Sequence, residues 1–230
     1  SNSMIYTESH LSQRARLIVP VLLLFMHLAG LTAVPLSPTE ALGAFAAERL
    51  PHATTPAAVA PDSTSVAVYP LEPLLIRACS VLTGGINPWS VRLPSVLAVL
   101  GVSAAAALLA NKVRGDVAAA VAAISTGTAL LAVWTGRDGG SGIVSPSLVA
   151  IAWFAWFLVG RMRRRWVAAW SLSLMLVLVA ALGMGVQAFV MFYLPLVVLR
   201  RPLLVWRRIA SPAHWVALAG ALSLFSLWVF

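Results

Sequence analysis

Seven long apolar runs separated by short polar segments leave this chain few ways to fold. They are Leu17–Val34, Leu93–Ala110, Val117–Trp134, Ser147–Val159, Trp166–Leu182, Val186–Leu199 and His214–Phe230. A membrane-crossing helix needs roughly 20 apolar residues, within a range of about 17–25. Each run is therefore expected to span, the fourth and sixth with residues drawn from their flanks. Charged residues make up 10% of the chain and hydrophobic ones 60%, against about 25% charged in soluble domains. A transmembrane β-barrel would show alternating segments of about ten residues, whereas these runs are continuous and rich in Ala and Leu. In lipid an α-helix satisfies its own backbone hydrogen bonds. The expected fold class is all-α: a polytopic integral membrane protein with seven transmembrane helices and two shorter extracytoplasmic juxtamembrane helices.

The net charge of +9 does not describe a nucleic-acid groove, because the cations sit in short clusters between apolar runs. With the N-terminus cytoplasmic, the cytoplasmic segments hold twelve Lys and Arg and the opposite face holds four: Arg49, Arg77, Arg92 and Arg137. That asymmetry is the bias of the positive-inside rule. The expected organisation is a cytoplasmic N-terminus over 1–16, a first span over 17–34, an extracytoplasmic loop over 35–92 and a six-helix bundle over 93–230. Ser1-Asn2-Ser3 before Met4 reads as an expression scar. The first apolar run is too long, and too poor in a small-residue cleavage site, to favour a removable signal peptide. Cys79 is the only cysteine, which excludes an internal disulfide and a thiolate metal cluster.

The longest polar interruption, Pro35 to Ser95, is where chemistry is expected. It opens with Ser37-Pro38-Thr39-Glu40 and a short helical pattern over Ala41–Leu50. A Pro-, Ala- and Ser-rich stretch follows, then Leu71-Glu72-Pro73-Leu74 and a second short helix over Leu74–Leu82. Gly85-Ile86-Asn87-Pro88-Trp89-Ser90-Val91-Arg92-Leu93-Pro94 leads into the second span. Small residues over Ser103–Ala107 and Ala118–Ala123 let neighbouring helices approach closely. His27, inside the first span, is the ionisable group set furthest from a span end; a hydrogen bond to a neighbouring helix is its plainest role. Trp153 and Trp156, at helical spacing inside a span, read as packing.

The order of these motifs resembles the GT-C glycosyltransferases, most closely the protein O-mannosyltransferase and aminoarabinose (lipid A) transferase group. That family runs from a first span through an Asp-Glu juxtamembrane helix, a Lys-Pro-Pro-Leu motif and a second interfacial helix to Gly-x-Asn-x-x-x-x-Arg-Leu-Pro. Thr39-Glu40-Ala41, Leu71-Glu72-Pro73-Leu74 and Gly85 to Pro94 stand at the three motif positions here, and a weaker likeness continues from Gly136-Arg137-Asp138 to Arg201-Pro202. The resemblance implies transfer of a sugar from a polyprenyl-phosphate donor to an extracytoplasmic acceptor, in a bacterial inner membrane. It leaves a divalent cation open as a cofactor, since members often recruit one through acidic residues, and it implies no nucleic-acid partner.

The family's catalytic aspartate falls on Thr39, and its Lys-Pro-Pro-Leu lysine on Leu71. A threonine hydroxyl cannot accept a proton at neutral pH as a carboxylate does. Glu40 is adjacent, but one helical residue is a rotation of about 100°. The expected site is thus Glu40 as catalytic carboxylate, with Arg92, Arg137, Glu72 and Thr39 binding substrate. An alternative stays open: a catalytically inactive GT-C-like protein that binds a lipid carrier or a partner membrane protein. A small transporter and a fragment of a longer enzyme are the remaining expectations.

Overall fold

Every expected span and juxtamembrane segment has a helical counterpart in the computed structural model, which describes residues 18–49, 70–129, 142–162, 164–198 and 207–229. Among the described residues there is no strand. The helices are α1 (Ile18–Leu28), α2 (Pro38–Arg49), α3 (Leu71–Thr83), α4 (Pro88–Arg114), α5 (Asp116–Thr128), α6 (Val144–Ala155), α7 (Trp166–Met184), α8 (Gln187–Val198) and α9 (Pro212–Val229). By length and composition, α4 and α7 are each long and apolar enough to cross a membrane. Shorter apolar helices are Ile18–Leu28, Asp116–Thr128, Val144–Gly160 and Gln187–Val198.

Several expected boundaries change, among them the end of the third span, whose helix stops at Thr128 rather than Trp134. The first span was expected to reach Val34, but α1 ends at Leu28 and turns cover 29–34. The turn is closed by Leu31 N–H on the Leu28 carbonyl (3.2 Å) and Ala33 N–H on the Gly30 carbonyl (3.1 Å). Gly30, at φ 69°, supplies the left-handed residue that ends the helix there. The fourth span is longer than its apolar core: α6 continues as a π-helix over Trp156–Met162. Within it Gly160 is closely packed: an added Cβ would come within 2.8 Å of the Trp166 ring.

The chain divides into two units, Ser1–Leu50 with Leu75–Ile143, and Pro51–Leu74 with Val144–Phe230. In the first, Leu23 and His27 of α1 and Leu31 of the turn after it are buried, while Ile18, Val21, Leu22 and Phe25 of α1 stay exposed. Such an exposed apolar face is stable against lipid and costly against water. The inward face packs closely enough that a Cβ at Gly127 of α5 would strike Leu23. A smaller apolar cluster joins Ala44 and Ala47 of α2, Ile76 of α3 and Val91 of α4.

In the second unit α7 is the central helix, burying Trp170, Leu174, Val177 and Ala180 completely. Aromatic edges surround it: Trp156 and Phe192 meet Trp170 at ring-centroid distances of 5.6 and 6.4 Å. Ser173 Oγ donates to the Ala152 carbonyl (2.9 Å), and Trp153 Nε1 to the Phe192 carbonyl (3.2 Å). Trp153 and Trp156 are thus packing residues, as their spacing suggested.

Candidate functional site

The head of α4 is built from local rules. Asn87 is its N-cap: Asn87 Oδ1 accepts from Ser90 N–H (3.0 Å), and Asn87 N–H donates to Ser90 Oγ (2.9 Å). Pro88 follows at the first helical position, where a missing N–H costs nothing. Just before it, α3 closes through Gly85 N–H on the Ser80 carbonyl (2.9 Å), with Gly84 at φ 75°. This reciprocal cap fixes the start of α4 and so the direction of Arg92, five residues beyond the cap.

Arg92 points inward and is 5% exposed. A guanidinium has five N–H donors, and a buried one must place them all or lose hydration without return. Nε donates to Glu40 Oε1 at 2.6 Å, and Nη2 to Glu40 Oε2 at 2.9 Å, a two-pronged charge-assisted pair. Nη2 also donates to the Pro35 carbonyl (3.0 Å). Nη1 donates to the carbonyls of Val34 (3.0 Å) and Leu31. Every donor of the fork is therefore engaged. The turn after α1, the start of α2 and the head of α4 are tied by one side chain.

Glu40 is equally occupied. It is 2% exposed, and Oε2 accepts a third bond from Ser37 N–H at 2.7 Å. Ser37 Oγ returns a bond from Glu40 N–H (3.2 Å), which completes an S-x-x-E capping box at the start of α2. The carboxylate also lies in the first turn, where the helix dipole favours negative charge. At 2% exposure, an acceptor would reach this carboxylate only if the surrounding residues moved.

The expected site residues do not all converge. Glu40 and Arg92 meet. Thr39 is exposed on the other side of α2 with its Oγ1 3.0 Å from Ser37 Oγ, so the rotation between neighbouring residues turns positions 39 and 40 apart. Glu72 is half-buried in the first turn of α3 and belongs to the second unit. There the neighbouring Leu71 is buried against Gly183, where an added Cβ would collide with Ser145 Oγ and approach Leu71 to within 3.1 Å. Leu71 thus serves as a packing residue at the family's lysine position. Arg137 and Asp138 lie outside the described residues.

His27 bonds within its own helix, Nδ1 donating to the Leu23 carbonyl at 2.9 Å, rather than to a neighbouring helix. Among the described residues, no group of three or more His, Cys, Asp or Glu side chains gathers at one place. Sequence reasoning missed the three carbonyls on Arg92, because a backbone acceptor has no residue signature. It also missed the Tyr193–His214 pair, whose Oη and Nε2 lie 2.8 Å apart against Trp170.

The described helices carry exposed apolar faces, and two of them are long and apolar enough to cross a membrane, which agrees with an integral membrane protein. The chain belongs to the dolichyl-phosphate-mannose-protein mannosyltransferase family, whose sequence model matches residues 62–230. The match takes in Glu72, Arg92 and Arg137 and begins after Thr39 and Glu40. Neither the curated proteins nor the solved structures contain a match to the chain.

Proposed function

We propose that the protein transfers a sugar from a polyprenyl-phosphate donor to an acceptor on the extracytoplasmic side of a bacterial inner membrane. Its N-terminus is then cytoplasmic and its seven apolar helices all span. The acceptor oxygen bonds to the anomeric carbon as the bond from that carbon to the donor phosphate breaks. Polyprenyl phosphate leaves, and the acceptor proton passes to a carboxylate. Within this reading Glu40 is a positioning residue that acts through Arg92, and Arg137 and Glu72 remain to meet the donor phosphate and the acceptor. The observation that carries the assignment is the match of the family's sequence model over residues 62–230; the engaged Arg92 fork is what makes Glu40 a positioning residue in this reading.

A second reading, a lipid-carrier-binding protein without transfer activity, is favoured by one observation. Thr39 takes the family's aspartate position, and its side chain is the exposed one. Binding and turnover of a polyprenyl-phosphate sugar by the purified protein separate the two. In the transferase reading, Thr39→Asp raises turnover. Glu40→Gln raises the donor KM and leaves the shape of the pH–rate profile intact, with activity restored by Glu40→Asp. Loss of the acidic limb in Glu40→Gln would instead make Glu40 the base. Binding without turnover in both the parent protein and Thr39→Asp establishes the second reading.

A further inference from the structure

The first unit contains a cavity of about 770 Å³ between α1, α4 and α5, well away along α4 from the Arg92 knot. Its walls are Val19, Leu23, Leu100, Ala104, Ala107 and Ala120 among others, almost wholly apolar. The small residues that let α4 and α5 approach one another also leave this space beside them. Its size falls within the range of about 300–1,000 Å³ typical of ligand sites. Along α4 the lining runs from Leu100 to Lys112, about 18 Å at 1.5 Å per residue. One leaflet of the hydrocarbon core is about 15 Å deep. The groove therefore has the length of one leaflet's acyl chain.

The rim at one end is polar, and its charge selects the head group. Lys112 lines the groove there and Arg114 is exposed two residues on. Lys112 has no carboxylate partner among the described residues. The adjacent carboxylate, Asp116, accepts a bond from Asn111 Nδ2 at 2.5 Å. At the same rim Asp116 stands in the first turn of α5, where the helix dipole favours its own negative charge, so Lys112 is the basic group that meets a ligand there. Apolar walls of leaflet length below a basic rim call for a ligand with an apolar tail and an anionic head.

We infer that this groove is a binding site for an anionic phospholipid, with one acyl chain between α1, α4 and α5 and the phosphate at Lys112. The site is independent of sugar transfer, since it uses none of the residues assigned to the donor or the acceptor. A phospholipid is favoured over the polyprenyl-phosphate donor because the cationic rim is cytoplasmic when the N-terminus is, and the donor phosphate is extracytoplasmic.

The test is native mass spectrometry of the full delipidated chain titrated with phosphatidylglycerol, phosphatidylcholine of the same chains, or polyprenyl phosphate. Phosphatidylglycerol is expected to bind at least about fivefold more tightly than phosphatidylcholine, the contribution of about one basic residue at a membrane surface. Lys112→Gln should remove that preference. Ala104→Phe, at an exposed wall position, should weaken both phospholipids, and Arg77→Gln, an exposed cation on α3, should change neither. Equal binding of the two phospholipids overturns the inference, as does a preference that survives Lys112→Gln. Polyprenyl phosphate binding most tightly with the same dependence on Lys112 and Ala104 also overturns it, and gives the groove to the donor. Lys112→Gln alters only an exposed side chain, so its result stands even if Ala104→Phe does not fold.

Discussion

Glu40→Gln is the perturbation that asks most of this structure. The substitution keeps the shape of the side chain and removes its charge, leaving the Arg92 guanidinium buried without a counter-ion. Three of the five donors still reach the carbonyls of Leu31, Val34 and Pro35. Of the two that reached Glu40, one meets the amide oxygen and the other faces an amide NH₂. Breaking a buried ion pair by changing one partner costs about 3–5 kcal/mol, and the surviving carbonyl bonds put Glu40→Gln at about 3 kcal/mol on that scale. Arg92→Met should cost more, about 5 kcal/mol, because it strands the buried carboxylate together with the buried Leu31 carbonyl and two part-buried ones. The double substitution removes both charges and should be milder than the sum by about 2–3 kcal/mol, within the range measured for residues sharing a network. Denaturant titration of the purified protein in detergent, read by tryptophan fluorescence, supplies the cycle. If the two single effects add to within about 0.5 kcal/mol, the clasp described here is refuted.

Other outcomes follow from the packing and the caps. Gly183→Ala should destabilise by about 1–3 kcal/mol through overpacking against Ser145 and Leu71, and Gly183→Ala/Ser145→Ala should recover part of it in the same titration. Asn87→Ala should cost about 1 kcal/mol, the value of a lost N-cap, with faster amide exchange confined to the first turn of α4. Burial pushes the Cys79 thiol above its ordinary range, since desolvation penalises the thiolate. The neutral thiol is the folded form, so its contribution to stability is complete below the ordinary thiol pKa of about 8.5 and declines as pH rises through it. Maleimide labelling of Cys79 should accordingly be slow at neutral pH, climb at higher pH than for a free cysteine, and become fast on denaturation. Labelling at the rate of free cysteine in the folded protein would contradict its burial.

Much of this architecture can be read without coordinates because it is local. Apolar runs dictate helices wherever water is absent, so each expected span has a helix at its place. Ser37-Pro38-Thr39-Glu40 and Asn87-Pro88-Trp89-Ser90 carry their own caps, because the groups that bond lie three residues apart. The family likeness was legible too, and the family's sequence model matches residues 62–230. Boundaries were less legible. The end of α1 at Leu28 depends on a turn whose carbonyls are held by an arginine 61 residues away from Leu31. The π-helical extension of α6 needs Trp166 lying over Gly160.

Only the tertiary structure decided what Glu40 and Arg92 are to one another. In the sequence each had a reasonable independent role, one as a base and the other as a phosphate ligand, and 52 residues separate them. Charge and spacing constrain where a residue stands along a helix but not which distant group fills its lone pairs. Burial settles that, because a guanidinium removed from water must find five acceptors at once, and folding brings them from the turn after α1 and the start of α2.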